Sequence, residues 1–362
     1  MQTKELIVVG AGPSGLAAAI ESRKYGVEVL LIDENQKPGG QLFKQIHKFF
    51  GSREHGAGIR GIDLGSLLLE ETYQKGAEVK LDTVVWGLFD DTCAIVHNHE
   101  SKRLGYQRLL LATGATENGL TFPGWTLPGV MGAGAAQTLM NIHRVLPGKR
   151  ILVVGSGNVG LIVSYQLAQA GAQIVAILEA APRVGGYGVH ASKLRRMGIP
   201  ILTSHTINEA RGSGKVTEAE IVQIDDKWKA IPGTEAKVEV DTVCIAVGLS
   251  PLSELAWIAG CRFEYIPALG GHVPWHDENM QTSLPGIYVA GDVAGVGEAS
   301  IALEEGRLAG IAIAESLGKI PTEKAFKLKK YAWERLREIQ QGSFGDDIWR
   351  AKQTLLSAKG EG

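Results

Sequence analysis

The chain has 362 residues, which is long enough for two domains with separate cores. Its 37 basic and 39 acidic side chains leave a formal net charge of -2, so there is no electrostatic reason to expect a nucleic-acid partner. No apolar run approaches the ~20 residues of a membrane-spanning helix. The first apolar segment also starts too close to Met1 for a cleavable signal. We therefore expect a cytoplasmic protein that does not span a membrane.

The first element is an apolar strand that leads into the glycine-rich turn Gly10-Ala11-Gly12-Pro13-Ser14-Gly15 and a helix-compatible run. A second apolar strand follows and ends at an acidic pair. In a dinucleotide-binding βαβ unit, amides at the helix start stabilise pyrophosphate, and a carboxylate accepts hydrogen bonds from the ribose hydroxyls. The sequence therefore predicts such a unit, whose nucleotide-binding residues are Gly10, Gly12, Pro13, Ser14, Gly15, Asp33 and Glu34.

An irregular segment rich in glycine, histidine and aromatic residues follows this unit and continues to about Gly61. Such content without a period is typical of a surface or active-site segment. We expect Gly40 and Gln41 to lie beside the nucleotide. His47 and His55 are candidate catalytic residues, since a histidine handles protons near neutral pH; a structural or solvent contact is the commoner role of a loop histidine.

Residues 77–111 have the pattern of a small β-meander, which closes in Ala112-Thr113-Gly114. A segment dense in turn-forming residues follows, over residues 122–129, and Pro147-Gly148 predicts a further turn before the next strand. We expect the chain to cross to a second domain here.

The glycine motif then recurs as Gly155-Ser156-Gly157-Asn158-Val159-Gly160, again between an apolar strand and a helical run, and it is followed by an acid at Glu179. A carboxylate there repels a 2′-phosphate, which favours FAD, NAD or ATP/ADP over NADP. Arg183 would reverse this preference if it reached a phosphate, but a solvated surface arginine is the simpler interpretation. The predicted residues of this second nucleotide site are Gly155, Gly157, Asn158, Val159, Gly160 and Glu179.

Three further strand-like segments are expected at residues 199–203, 216–224 and 238–247. The last ends in Ala246-Val247-Gly248, an echo of Ala112-Thr113-Gly114. This echo predicts that the two halves share an architecture and that the chain afterwards returns to the first domain.

The segment Thr282 to Asp292 ends in an apolar strand and Gly291-Asp292. With this segment, residues 5–318 resemble the FAD-dependent pyridine nucleotide oxidoreductases of the glutathione and thioredoxin reductase type. The resemblance implies that Asp292 lies against the ribityl and phosphate portion of FAD, and that a helix starting near Ala299 or Ser300 points its amino end at the flavin. The further FAD residues that it implies are Ala112, Thr113, Gly114, Gly291, Ser300 and Ile301.

The chain departs from that family in its cysteines. Cys93, Cys244 and Cys261 are never closer than 17 residues apart and form no Cys-x-x-Cys, so neither a disulfide relay nor a metal site is expected. The chain is therefore not expected to be a disulfide reductase. The flavin would exchange electrons directly with a small substrate, a nicotinamide or another subunit.

A closer resemblance is carried by residues 122–131, by Gly134-Ala135-Ala136-Gln137 and by Pro38-Gly39-Gly40-Gln41. These segments look like the α subunits of opine oxidase, hydrogen cyanide synthase and dye-linked proline dehydrogenase, and the related part of heteromeric sarcosine oxidase. This resemblance implies an FAD-containing β subunit of the amino acid oxidase type, which oxidises the C–N bond of a small amino or imino acid. Any iron–sulfur centre would come from another protein, because the 44 residues after Gly318 contain no cysteine.

The expected fold is α/β, with two Rossmann-like dinucleotide-binding domains, the second inserted in the first. Residues 1–118 and 248–320 would form the FAD domain, residues 119–247 the second nucleotide domain and residues 321–362 a helical tail. The tail contains an amphipathic pattern that either packs back on its own domain, the plainer alternative, or docks on a partner. His272 and His276 are expected to pack beside the cofactor.

The expected function is that of an α-type subunit in a multimeric amino or imino acid dehydrogenase or oxidase. Such a subunit passes electrons between its FAD and a partner or acceptor. Two alternatives remain open: a self-sufficient NADH-dependent flavin reductase, and a nucleotide-binding scaffold subunit with no substrate of its own.

Overall fold

The computed structural model describes residues 2–49, 52–342 and 345–358. The chain divides into two compact units, one formed by Met1–Thr116 with Ser250–Gly362 and the other by Glu117–Leu249. The predicted helical tail falls in the first unit, although its residues 343–344 and 359–362 lie outside the described part of the chain.

Strands and helices alternate over residues 3–80 and again over residues 130–203, and each of these parts is followed by a run of consecutive strands. The strands are, in order, β1 Thr3–Val9, β2 Val29–Ile32, β3 Glu78–Lys80, β4 Thr83–Phe89, β5 Thr92–His97, β6 Glu100–Leu111, β7 Ala115–Glu117, β8 Val130–Gly132, β9 Arg150–Val154, β10 Gln173–Glu179, β11 Ile201–Thr203, β12 His205–Arg211, β13 Glu218–Gln223, β14 Ala236–Glu239, β15 Thr242–Ile245, β16 Leu249–Pro251, β17 Phe263–Ile266, β18 Gly271–Pro274 and β19 Ile287–Val289. The α-helices are α1 Pro13–Lys24, α2 Gly61–Gln74, α3 Ala133–Asn141, α4 Asn158–Gln169, α5 Gly188–Arg196, α6 Glu254–Ala259, α7 Ala299–Ser316, α8 Thr322–Ile339 and α9 Asp346–Ser357. Short 3-10 helices cover Gly40–Lys44, Arg53–His55, Pro267–Leu269 and Asp292–Ala294.

The first unit is built on a sheet in which β1 lies between β2 and β6, with all three strands parallel. β3 adds to β2, and β19 pairs with β6, again in parallel. The inner strands contain continuous apolar, buried runs, at residues 6–9, 29–32, 109–111 and 287–289, as is usual for a parallel sheet covered on both faces. The register sets Val9 beside Ile32 and Leu111, and Leu111 beside Val289, so the carboxyl ends of four strands meet at one edge.

β6 is long enough to pair with two groups of strands. Its carboxyl half pairs with β1 and β19, while its amino half pairs antiparallel with β5, which in turn pairs with β4. β4, β5 and β6 are the β-meander that the sequence predicted.

Helices α1 and α7 pack closely, because α7 presents glycines at the crossing. A Cβ on Gly306 would lie 2.1 Å from the Ser14 carbonyl oxygen, and one on Gly310 would lie 2.8 Å from the Ala18 carbonyl oxygen. The Ser22 hydroxyl donates to the Gly310 carbonyl at 3.3 Å. Only glycine permits this approach, which fixes the start of α7 near the first glycine turn.

The second unit contains a parallel sheet in the order β11-β10-β9-β15-β8 and an antiparallel sheet in the order β12-β13-β14. The prediction of one strand over residues 238–247 was wrong, because β14 and β15 belong to different sheets. The chain breaks at Asp241, whose carboxylate accepts the backbone amides of Lys149 at 2.9 Å and Arg150 at 3.1 Å. These bonds hold the chain beside the start of β9 at the point where it passes from one sheet to the other.

The two tail helices pack on the first unit, which is the plainer of the two alternatives for the tail. α8 lies against α7 and buries Ala325, Ala332 and Leu336. α9 buries Ala351 and Leu355 in a small cluster with Leu269 and Val273. No helix among the described residues is both long and apolar enough to cross a membrane.

Candidate functional site

The first glycine turn has the geometry of a pyrophosphate cradle. Gly10 has φ +106°, and a Cβ there would lie 2.3 Å from the Ala112 carbonyl oxygen; one on Gly15 would lie 1.9 Å from the Gly10 carbonyl oxygen. Gly12 differs, because its missing Cβ faces only the Gly40 Cα, at 3.9 Å. Gly10 and Gly15 thus allow the tight turn and the packing of α1, while Gly12 leaves room for a ligand at the helix start.

Asp33 follows β2 and is tied into this turn. Its Oδ2 accepts the Ala11 amide at 2.6 Å, and its Oδ1 accepts the Asn35 amide at 2.8 Å. Asp33 is 6% exposed, whereas the neighbouring Glu34 is exposed. Asp33 therefore fixes the turn, and Glu34 offers the freer carboxylate at the same strand end.

The remaining residues predicted for this site stand on the same edge of the sheet or on segments that reach it. Gly39 donates its amide to the Ala11 carbonyl at 2.7 Å, which brings Gly40 against Gly12; Gln41 is exposed in the 3-10 helix that follows. After β6, the Ala112 amide donates to the Val9 carbonyl at 2.8 Å. The next residues, Thr113 and Gly114, both bond Leu252, through the Thr113 hydroxyl at 2.5 Å and the Gly114 carbonyl at 2.9 Å.

The Gly291-Asp292 turn follows β19 on that edge. A Cβ on Gly291 would lie 2.5 Å from the Ser14 hydroxyl oxygen, so the turn touches the start of α1. Asp292 Oδ1 accepts the Gly297 amide at 3.1 Å. Burial raises the pKa of Asp292 to about 6, against the opposing effects of the Gly297 amide and Lys352. α7 starts seven residues later with Ser300 and the buried Ile301 in its first turn.

The second unit repeats this construction. A Cβ on Gly155 would lie 2.1 Å from the Ala246 carbonyl oxygen and one on Gly160 would lie 2.2 Å from the Gly155 carbonyl oxygen, while Gly157 has no heavy atom within 4 Å of that position. Glu179 mirrors Asp33, since its Oε2 accepts the Ser156 amide at 3.0 Å and its Oε1 accepts the Ala181 amide at 2.9 Å. The Ser156 hydroxyl adds a second bond to Oε2, which Ala11 cannot make in the first unit.

A short segment after β10 lies over the second glycine turn. The Gly185 amide donates to the Ser156 hydroxyl at 3.1 Å, and the Gly186 amide donates to the Ser156 carbonyl at 2.8 Å. The Tyr187 amide donates to Asn158 Oδ1 at 2.8 Å. Asn158 starts α4, and Val159 is partly exposed beside it. This segment was not predicted from the sequence, although its Gly-Gly pair parallels Gly39-Gly40. Arg183 is exposed.

His55 occupies a buried charged network. It is 6% exposed; its Nδ1 pairs with the Ser52 hydroxyl and its Nε2 with Glu304 Oε1, each at 2.7 Å. Glu304 is fully buried and also binds the guanidinium groups of Arg307 and Arg335. Hydrogen bonding from His55 and the two guanidinium charges hold the pKa of Glu304 below its usual value, despite burial. His47 is half-buried, with its ring edge-on to Phe49.

A second buried charged cluster was missed from the sequence. It joins Glu305 on α7 to Lys352 on α9, and Lys352 also interacts with Asp292 and with the fully buried His276. One sequence signal was available, because two adjacent acids, Glu304 and Glu305, stand among mostly apolar residues in α7. Buried acids of this kind need partners, but nothing in the sequence indicates which ones.

The fold and the two sites define a protein with two dinucleotide-binding units of the Rossmann type. The profile of the pyridine nucleotide-disulphide oxidoreductase family matches residues 4–306. The chain belongs to this family, which implies an oxidoreductase that binds FAD and NAD(P). The α/β fold and the family resemblance expected from the motifs are thereby confirmed.

Curated relatives refine the comparison. The A-type subunit of opine oxidase from Rhizobium meliloti (strain 1021) is 30% identical over 343 residues, covering 88% of this chain and 72% of the relative. The HcnB subunit of hydrogen cyanide synthase from Pseudomonas aeruginosa is 28% identical over 368 residues, covering 92% and 76%. The alpha subunit of sarcosine oxidase from Rhizobium meliloti (strain 1021) is 28% identical over 338 residues, but the match covers only 31% of that longer chain.

Solved structures support the fold. L-proline dehydrogenase from P. horikoshii matches with a TM-score of 0.70 and 22% identity, covering 93% of this chain and 59% of that one. Thioredoxin reductase from T. acidophilum also has a TM-score of 0.70 and 22% identity, covering 88% and 100%. At this identity the likeness shows the fold alone.

Proposed function

We propose that the chain is the FAD-containing, α-type subunit of a multimeric oxidoreductase that acts on the C–N bond of a small amino or imino acid. The single observation that carries this proposal is the match to the A-type subunit of opine oxidase over 88% of the chain. The other relatives agree, because they are also named as enzyme subunits, one of hydrogen cyanide synthase and one of sarcosine oxidase.

FAD fits the first unit for a structural reason. The open position beside Gly12, at the start of a helix that no side chain caps in the described residues, suits a pyrophosphate group. Glu34, with Asp33 behind it, would receive the ribose hydroxyls, and Asp292 would face the ribityl and phosphate portion. The first turn of α7, with Ser300 and Ile301, would direct its positive end towards the cofactor. FAD supplies the redox chemistry when bound.

The cysteines argue against a thiol relay within this chain. Cys93, Cys244 and Cys261 are all free and buried. Burial raises the pKa of the Cys93 thiol to about 11 and that of the Cys244 thiol to about 12, and it raises the pKa of Cys261 as well. None is therefore activated as a thiolate near neutral pH. The chain is proposed not to be a disulfide reductase, and its free thiols agree with a cytoplasmic location.

Electrons would therefore leave or enter the flavin through a partner or a soluble acceptor. The proposed partner is an FAD-containing β subunit of the amino acid oxidase type, with an iron–sulfur protein as a further candidate acceptor. That His47 and His55 handle protons remains a prediction. The bonds of His55 to Ser52 and Glu304 favour a role in holding its segment against α7.

The second unit is proposed to bind an adenine nucleotide with a free 2′-hydroxyl, either NAD or ATP/ADP. Glu179 supports this preference, because its charge would repel a 2′-phosphate. An NADH-dependent flavin reductase is the second candidate function, and it is favoured by the intact second glycine turn. The third candidate is a scaffold with a statically bound nucleotide, and it is favoured by the hydrogen-bonded segment at residues 185–187 over that turn.

One experiment separates these functions. The chain is purified alone and with co-purifying proteins, and flavin absorbance is followed anaerobically after addition of NADH, L-proline, sarcosine or an opine. Bleaching by an amino or imino acid only when the partner is present would support the proposed role in a multimeric enzyme. Rapid bleaching of the isolated chain by NADH would support the reductase instead, and a chain that binds no flavin would refute the FAD site.

A further inference from the structure

Helix α9 carries a lysine side chain into the interior of the first unit. The Lys352 side chain is 3% exposed, and its ammonium contacts Glu305 Oε1 on α7. α9 lies beyond residues 4–306, the part of the chain that the family profile matches. The nucleotide motifs shared by the family therefore do not account for this buried lysine.

Glu305 connects Lys352 to the turn that carries Asp292. Its side chain is 2% exposed, and its second oxygen, Oε2, accepts the Gly291 amide at 2.9 Å. One carboxylate thus bridges the ammonium on α9 and the backbone next to Asp292. Asp292 also lies near enough for its charge and that of Lys352 to shift each other's pKa.

Burial lowers the pKa of Lys352 to about 7, against the opposing effect of Asp292, so the charge of the amine depends on the carboxylates around it. Two carboxylates, Asp292 and Glu305, face the single ammonium. The third group, His276, is fully buried and donates Nδ1–H to the Asp277 carbonyl at 2.9 Å. Burial and the nearby Lys352 lower the pKa of His276 to about 4, so it adds no charge at neutral pH.

The position of α9 is fixed by contacts other than Lys352. Ala351 and Leu355 fill an apolar cluster with Leu269 and Val273. At the carboxyl end, the Arg262 guanidinium donates to the Ala358 carbonyl at 2.8 Å. The helix is therefore held in place by apolar packing and a cap, which leaves the charge of Lys352 free for another role.

We propose that Lys352 is a positioning residue for the FAD site, which holds Glu305 and, through Glu305, the Gly291-Asp292 turn in the arrangement that binds the cofactor. This inference rests on the proposed FAD site of the first unit. Without the ammonium, two buried carboxylates would lie near each other with no cation. One of them would then take up a proton or move, and either change alters the turn that faces FAD.

The test compares FAD dissociation constants of full-length variants, measured by fluorescence quenching when FAD is added to the apoprotein. Lys352→Met removes the charge and keeps the length of the side chain, and we expect FAD binding to weaken at least tenfold. Leu355→Ala is the matched control, since it loosens the packing of the same helix without changing charge. We expect its FAD affinity to stay within threefold of the wild type, although it lowers the melting temperature.

A double-mutant cycle tests the path through Glu305. Glu305→Gln keeps an oxygen for the Gly291 amide, so the Glu305→Gln/Lys352→Met double variant should bind FAD better than Lys352→Met alone. Lys352→Arg, which keeps the charge, should bind FAD within about fivefold of the wild type. If Lys352→Met does not fold, Lys352→Arg and Glu305→Gln test whether the charge of Lys352 acts through Glu305. Glu305→Gln is expected to weaken FAD binding by itself.

The outcomes separate this inference from the proposed function. Wild-type protein that binds no FAD would overturn both. Wild-type protein that binds FAD, with equal affinity in Lys352→Met, would overturn the inference alone. Equal losses of FAD affinity in Lys352→Met and Leu355→Ala would also overturn the inference, because Lys352 would then act only through packing. Additive losses in the double-mutant cycle would overturn it too, because Lys352 would then act independently of Glu305.

Discussion

Alanine substitution of the middle glycine in each motif should weaken nucleotide binding without harming the fold. Gly12 has φ −77°, which any residue adopts, and the nearest atom to an added Cβ is 3.9 Å away. Gly157 has φ −65° and no heavy atom within 4 Å of that position. Gly10 provides the contrast, because its φ is +106° and its Cβ would lie 2.3 Å from the Ala112 carbonyl oxygen.

The expected magnitudes follow from these distances. Gly12→Ala and Gly157→Ala should change the free energy of unfolding by less than about 1 kcal/mol, in the stabilising direction if the unfolded chain loses entropy. A methyl group in the space of a pyrophosphate costs about 1–3 kcal/mol, which is roughly a 5- to 150-fold loss of affinity. Gly10→Ala should destabilise the fold itself, by roughly 2 kcal/mol or more, because the backbone must move.

The assay measures three quantities for each variant: FAD affinity by fluorescence, NAD and ATP affinity by calorimetry, and the free energy of unfolding by urea. Gly12→Ala should lose only FAD affinity, and Gly157→Ala should lose only affinity for the second nucleotide. Gly188→Ala is the control, because Gly188 is exposed and a Cβ there would also meet no atom within 4 Å. Wild-type FAD affinity in Gly12→Ala would refute the assignment of the first site.

Three other predictions concern titratable side chains. The pKa of His276 falls from 6.5 to about 4 on folding, so the unfolded chain binds the proton first, and roughly 3 kcal/mol of stability is lost as pH falls from 6.5 to 4. In urea titrations over that pH range, His276→Gln should lose less unfolding free energy than the wild type. Equal losses in the two proteins would contradict the prediction. Glu304→Gln removes the charge shared by His55 and two arginines, and it should lower the free energy of unfolding by about 3 kcal/mol; unchanged stability would show that the network is dispensable. Glu179→Gln should raise NADP affinity relative to NAD affinity about tenfold, as measured by calorimetry, whereas Ser156→Ala, which keeps the charge of Glu179, should not. An unchanged ratio of the two affinities in Glu179→Gln would show that Glu179 is not the source of selectivity.

The nucleotide motifs could be found from the sequence because their information is local. Gly10, Gly12 and Gly15 lie within six residues, and each is required by the geometry of one turn and the first turn of one helix. The same holds for Gly155, Gly157 and Gly160. The apolar strand that precedes each motif and the acid that ends the next strand have fixed positions in a βαβ unit, so the sequence predicted two such units and their order.

The partners of the polar side chains could not be found in this way. Asp33 was expected to bind ribose, and only the folded turn shows that its carboxylate holds the Ala11 amide. The residues 238–247 look like one apolar strand, and only the bonds of Asp241 to the segment at residues 149–150 show the break. In each case the deciding contact joins residues that are distant in sequence.

By itself, the sequence determined the class of the protein: two dinucleotide-binding units, the second inserted in the first, in a pyridine nucleotide-disulphide oxidoreductase without paired cysteines. Only the tertiary structure decided which buried charges are paired. Glu305 and Lys352 are 47 residues apart, and His55 and Glu304 are 249 residues apart. Such pairs leave no period or motif in the sequence, because they depend on how α7, α8 and α9 pack. Burial then makes each pairing necessary, since an unpartnered charge in the interior is strongly destabilising.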